Sequence, residues 1–299
     1  MIDSEIILME KTVLSSETHP EVANEIEPQI KPAFNYKPYV LIGSAATLLI
    51  LTAAFLPQYL DNKITPTPAQ KPNVEKIISN KTIVIGTDAT YPPMETLDDS
   101  GNLVGYDIDL GEKIAEDLGV TATFKNIEWD NLFTALENGD VDVIISAVTI
   151  NEERKLLYDF SDAYLNAGQV IITQKSNNTI SDVADLDGKK IAVQTETTNE
   201  TEAQKYTSED LVISYDNFED ATTALVNGQV DSIFSDLTNA KGIVQNNPTL
   251  KIASSPFTND FYGIVIRPSE IDLTNRIDEA LNSLRQQGFL VFLQQKWLE

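Results

Sequence analysis

Residues 134–144 read TALENGDVDVI, and residues 223–233 read TALVNGQVDSI. They share T-A-L-x-N-G-x-V-D-x-I, eight identities in eleven positions, at a constant offset of 89 (223 − 134). Each copy predicts a helix that ends at Asn-Gly, a pair suited to a left-handed C-cap. A short apolar strand follows. A weaker echo precedes each copy. Residues 81–90, KTIVIGTDAT, align with residues 189–198, KKIAVQTETT. Both read as a strand running into a Thr-rich, acidic turn. Chance likeness between common α/β fragments is the alternative, and the second echo, in the right order, argues against it.

Each half therefore reads as strand, helix, strand, the unit of open, largely parallel α/β sheets. Ligands of such sheets bind beyond the carboxyl ends of the strands. That rule nominates Asp88 to Met94, Ser146 to Arg154, Gln194 to Asn199, and Ser235 to Thr238. Two lobes facing each other across these ends would form one cleft. The strand leading to the second segment is expected over Val143 to Ala147. Helices are expected over Asp107 to Leu118, Ile271 to Gln287 and Phe289 to Trp297.

Composition narrows the function. Of 299 residues, 42% are hydrophobic and 22% charged, an ordinary globular balance. A net charge of -25 repels phosphate backbones and argues against nucleic acid as a partner. There is no Cys, which excludes disulfides, thiolate metal sites and a Cys nucleophile. The single His, His19, lies in the polar N-terminal segment, so no His triad or His metal cluster is expected in the folded part. The acidic groups Asp98, Asp99, Asp107 and Asp109 lack calcium-loop spacing and read as turn and cap residues.

The N-terminal region divides into three. Residues 1–37 read as a disordered acidic tail. Residues 38–60 carry no charge and are long enough to cross a bilayer. The tail is long for a signal peptide, so an uncleaved signal anchor is preferred to a cleaved one. Residues 61–80 read as a Pro-rich linker.

Two charged residues carry the chemistry. Arg154 reads either as a solvated charge at a helix start or as a fork that holds a carboxylate by paired hydrogen bonds. Asp236 reads either as a helix N-cap or as a counter-charge for an ammonium group. On opposite walls the two would match an α-amino acid zwitterion.

GTDATYPPME (86–95), GYDIDLGEKIAEDLG (105–119), WDNLFTALENGDVDVIISAVTINEERKLLYDFSDAYL (129–165), LVNGQVDSIFSD (225–236), YGIVI (262–266) and KWL (296–298) resemble the polar amino-acid solute-binding proteins, family 3, of ABC transporters. The resemblance implies an α/β, two-lobed periplasmic-binding-protein type II fold with a central cleft and two hinge crossings, here preceded by a transmembrane helix. Lobe one would be residues 81–167 plus 262–299, and lobe two residues 168–261. Crossings are expected near Tyr164 to Gly168 and Thr258 to Tyr262.

The resemblance also implies roles. Arg154 would take the ligand's α-carboxylate, helped by Thr149 and the backbone at Ala147 and Thr198. Asp236 would take the α-ammonium. Tyr91 and Trp129 would sandwich the ligand side chain. Asp88 would reach its distal end, Gln194 would tune the choice, and Ser146 heads the nominated segment beside Ala147. Glu196 stands where the family often has Gly, which puts the Thr198 contact in question. A neutral polar or basic L-amino acid is expected over an acidic one. No cofactor is implied. The implied partners are that amino acid, an ABC permease and the membrane, with the binding domain extracytoplasmic and monomeric. The alternatives are an amino-acid sensor subunit, or a prephenate or arogenate dehydratase-like enzyme using Glu196 as its acid.

Overall fold

The computed structural model describes residues 73–299. The expected tail, membrane span and linker up to residue 72 lie outside the described residues. The expected linker does not continue to residue 80. Helix α1 (Asn73–Asn80) occupies its end. Val74 and Ile77, three apart on one face, pack on the core beside Ile277 and Leu281. Among the described residues no helix is long and apolar enough to cross a membrane.

Strand β1 (Thr82–Thr87) leads into a small meander of β2 (Thr90–Tyr91), β3 (Glu95–Leu97) and β4 (Leu103–Val104). Helix α2 (Tyr106–Asp117), strand β5 (Thr121–Asn126), helix α3 (Trp129–Glu137) and strand β6 (Val143–Ile144) follow. Next come α4 (Glu152–Lys155), β7 (Asp159–Phe160) and β8 (Leu165–Asn166). The second half contains β9 (Gln169–Gln174), β10 (Ile191–Gln194), α5 (Thr198–Ala203), β11 (Val212–Tyr215), α6 (Phe218–Val226), β12 (Ser232–Asp236), α7 (Leu237–Asn246) and β13 (Leu250–Ile252). The chain ends with β14 (Phe261–Tyr262), β15 (Val265–Ile266), α8 (Ile271–Gln286) and α9 (Phe289–Trp297).

Two five-stranded sheets result, ordered β5-β1-β6-β15-β7 and β11-β10-β12-β9-β13. In each, three neighbouring strands are parallel and the next is antiparallel. Side chains alternate across each sheet, as strand geometry requires. In β15, Val265 joins the cluster of Trp129, Leu132 and Leu136, while Ile266 joins that of Leu110, Ile277 and Leu281. In β9, Val170 and Ile172 face one cluster and Ile171 the other. Each sheet is thus buried on both faces by its helices.

The echoed segments fold alike. Gly139 and Gly228 adopt left-handed φ values of 75° and 71°. Each closes a Schellman motif: Asp140 N–H donates to Ala135 O and Gln229 N–H to Ala224 O, both at 2.9 Å. The shared Asp serves the neighbouring strand in both halves. Asp142 accepts from Val84 N–H at 2.9 Å, and Asp231 from Lys190 N–H at 2.8 Å.

The two halves join through a short antiparallel ladder, with β8 paired to β14 through Asn166↔Phe261 and Leu165↔Tyr262. The strand expected over Val143 to Ala147 ends at Ile144, because the backbone turns left-handed at Ala147, φ 48°. The reading of Asp107 and Asp109 as turn and cap residues is corrected. Asp107 is buried in the first turn of α2 and accepts from Ala147 N–H at 2.6 Å and the Tyr164 hydroxyl at 2.9 Å. Asp109 accepts from Lys296 Nζ and Trp297 Nε1, each at 2.7 Å, and so fastens α9 to α2. Hydropathy patterning does not reveal such a partner nearly two hundred residues away.

Candidate functional site

The carboxyl ends of β1, β6, β10 and β12 converge on a narrow cleft. Asp88, Tyr91, Trp129, Ser146, Ala147, Thr149 and Arg154 line it from the first half, and Gln194, Thr198 and Asp236 from the second. All ten residues nominated from the sequence are therefore brought together. Glu95, Thr197, Asn199 and Phe218 also line the cleft.

Arg154 lies in α4, whose N-cap Asn151 accepts from Arg154 N–H at 2.7 Å. Its guanidinium is not a solvated charge. It stacks 5.4 Å from the Trp129 ring centroid and 5.6 Å from that of Phe133. Its Nη1 donates to Thr149 O at 3.0 Å. Burial lowers its pKa to about 10, opposed by the charge of Asp236. Among the described residues, no ion pair involves Arg154. A half-buried guanidinium without a carboxylate partner among the described residues has the geometry to hold an anion by paired hydrogen bonds.

Asp236 occupies the N-cap position of α7, yet its side chain caps nothing there. It is buried and accepts instead from Asn199 Nδ2 at 3.0 Å and from the Tyr262 hydroxyl. Burial raises its pKa, opposed by hydrogen bonds from Tyr262, Asn199 and Tyr91. A carboxylate offers about four acceptor directions, so the Asn199 and Tyr262 donors leave room for a cation.

Asp88 is the local support of the site's main aromatic. Its Oδ2 accepts from Trp129 N–H at 3.1 Å, capping α3 from outside, because the N-cap Glu128 makes no such bond. Its Oδ1 accepts from Thr90 Oγ1 at 2.9 Å. Burial raises its pKa, and these donors oppose the shift.

Behind the floor lies a second acidic layer. Ser146 Oγ accepts from Asp88 N–H and donates to Glu95 Oε1, both at 2.9 Å. Glu95 Oε2 and Asp107 Oδ1 are both buried without a conventional donor. Burial, then the charge of Asp107, raises the Glu95 carboxyl well above the usual range. Burial likewise raises Asp107. One proton held between the two satisfies both oxygens. Because Ala147 N–H is taken by Asp107, it is not free for a ligand carboxylate, contrary to the implied role. Its carbonyl is the group left to meet a ligand, as an acceptor.

The two walls touch. Tyr91 meets Phe218 edge-on, with centroids 5.4 Å apart. Trp129 Nε1 donates to Glu196 O at 3.3 Å. Trp129 is thus committed to Arg154, Phe133 and Glu196 as well as to the cleft. The Glu196 side chain is exposed and lies outside the lining of the cleft, so the nominated acid of the dehydratase reading is not in place. The backbone there is left-handed, φ 57°, which accounts for glycine being favoured at such a turn. Its N–H donates to Glu200 Oε2 at 2.8 Å. Thr198 keeps its place on the cleft wall, and Gln194 Nε2 is tied to Asp216 O at 3.0 Å.

Comparison with known proteins gives three consistent findings. Residues 83–299 match the family model for bacterial extracellular solute-binding proteins, family 3. The L-cystine-binding protein TcyJ of Escherichia coli is 31% identical over 226 residues, covering 75% of this chain and 85% of that one. The ABC transporter arginine-binding protein 1 of the same species is 30% identical over 220 residues, covering 72% and 90%. The arginine-bound form of truncated ArgBP from T. maritima is 38% identical with a TM-score of 0.67, covering 70% of this chain and 99% of that one.

Proposed function

The chain belongs to the bacterial extracellular solute-binding proteins, family 3, and from that premise we propose that its cleft captures an L-amino acid for an ABC permease. The observation that carries this is Arg154, a half-buried guanidinium with no carboxylate partner among the described residues, set in one cleft with Asp236. Arg154 takes the ligand's carboxylate. Asp236, with the Ala147 carbonyl, takes its ammonium.

The side-chain end follows from charge. The zwitterion uses Arg154 and Asp236. Glu95 shares a proton with Asp107, so that pair carries one negative charge and not two. Asp88 then leaves the distal region negative, between the rings of Tyr91, Trp129 and Phe218. A basic side chain fits best, a neutral polar one next, and an acidic one is repelled. The arginine-bound relative supports that order.

The lobes on this reading are residues 81–167 plus 262–299 and residues 168–261, closing about the β8–β14 ladder when ligand binds. Residues 38–60 form a membrane anchor that holds a monomeric binding domain outside the cytoplasm. Protease treatment of intact cells tests this part. Loss of the binding domain with retention of a small membrane fragment supports the anchor, and release of the whole chain without protease refutes it.

For the ligand, the full-length chain is heated with each of the twenty amino acids and with prephenate. A ligand at ~100 times its Kd adds about 2.7 kcal/mol by mass action. Stabilisation by arginine or lysine that disappears in Arg154→Ala supports the reading. Stabilisation that survives Arg154→Ala, or that appears only with prephenate, refutes it.

A further inference from the structure

Helix α7 carries a buried glycine, Gly242, in its interior. Glycine is among the least favourable residues for a helix interior. Its φ is not in the left-handed range, so conformational freedom does not explain it. Space does. A Cβ at this position would lie 2.7 Å from Pro92 O, 3.2 Å from Pro92 C and 3.4 Å from Pro93 Cδ. Pro92 follows Tyr91 on the first half, whereas α7 follows Asp236 on the second. Gly86 and Gly111, by contrast, would meet side chains of their own half. A side-chain end can swing away, but a backbone carbonyl moves only if the lobes part.

We propose that Gly242 is a positioning residue that sets how far the two lobes close, and hence ligand affinity, without touching the ligand. The proposal rests on the reading that the cleft closes over its ligand. A Cβ raises the free energy of the closed state alone. The apparent Kd then rises as the closed fraction falls. In the open state the same methyl meets no opposing carbonyl and improves the helix. Affinity and ligand-free stability should therefore move in opposite directions, which a folding defect does not produce.

The test compares the full-length chain with Gly242→Ala and Gly242→Val. Titration calorimetry with L-arginine should show Kd raised about tenfold by Gly242→Ala and further by Gly242→Val. Ligand-free Tm should be unchanged or higher in Gly242→Ala. A second arm needs no ligand. The chain has no Cys, so dyes on Glu112→Cys and Glu209→Cys, exposed positions on the two lobes, report their separation by single-molecule energy transfer. Gly242→Ala should deplete the closed population. An unchanged distribution overturns the proposal, even if arginine proves not to be the ligand. A wild-type Kd in Gly242→Ala, or a weaker Kd with a matching loss of ligand-free Tm, also overturns it. Failure of the unsubstituted chain to bind any amino acid refutes the ligand reading alone.

Discussion

Ser146 and Ser235 stand at equivalent places in the two echoed halves, 89 positions apart (235 − 146). Up to these serines the halves share helix, Schellman cap and strand. Beyond them they part. In the first half the next residue is Ala147, left-handed, and the chain bends away to present Arg154. In the second it is Asp236, extended, which presents its own carboxylate. One scaffold therefore ends in a cation on one wall and an anion on the other. The serines diverge too. Ser146 bonds to Glu95, whereas Ser235 accepts from Asn239 at 3.0 Å. The shared part holds the fold, and the divergent part sets opposite charges on the two walls of the cleft.

The cation wall should give the largest effect. Arg154→Ala is expected to weaken arginine binding by about 100-fold or more, and Arg154→Lys to recover only part of it, because Lys cannot form the paired fork. Calorimetry measures both, and near-full recovery by Lys would show that charge alone suffices. The anion wall should come second. Asp236→Asn is expected to raise Kd about tenfold, and to cost about 1–2 kcal/mol of stability through the Tyr262 and Asn199 bonds. Equal losses of affinity at both walls would break the distinction between an unpaired Arg154 and an already-bonded Asp236.

The larger pH effect should come from the first half, because Glu95 is raised well above the usual range and Asp236 less so. The Glu95–Asp107 pair binds a proton in the folded chain at a pH where the unfolded chain has lost it. Stability should accordingly fall as pH rises above about 4 and through the raised pKa of the pair. Glu95→Gln should flatten that fall in thermal-unfolding scans, and an unaltered slope would place the proton elsewhere. The smallest effect tests the shared part. Gly139→Ala and Gly228→Ala each force a side chain into a left-handed φ, with open space at the first and only Gln174 Nε2, 3.9 Å away, at the second, costing about 1 kcal/mol each. Unequal costs would show that the two caps are not equivalent.

The same division explains what the sequence made legible. The echo located the strand ends, and every nominated cleft residue follows from it or from the resemblance. Glu95 escaped notice because it lies just past the nominated turn, and its burial depends on α2 packing beneath it. Phe218 begins a helix with an apolar residue, which reads as ordinary core. Asp107 looked like a cap because its partners, Ala147 and Tyr164, are far along the chain. The absent side chain of Gly242 has meaning only when Pro92 faces it. Periodicity reports a residue's own element, and these roles belong to pairs of elements.

The β8–β14 ladder has a consequence for synthesis. Residues leaving at Asn166 return at Phe261 on the adjacent strand, so the second sheet is built from one continuous run. The first sheet is not. Its inner strand β15, seated between β6 and β7, is near the end of the chain. On a chain emerging N-terminus first, the second half holds all its strands while the first still lacks its central staple. The half made first is thus finished last, and until β15 arrives β6 and β7 expose edges open to mispairing.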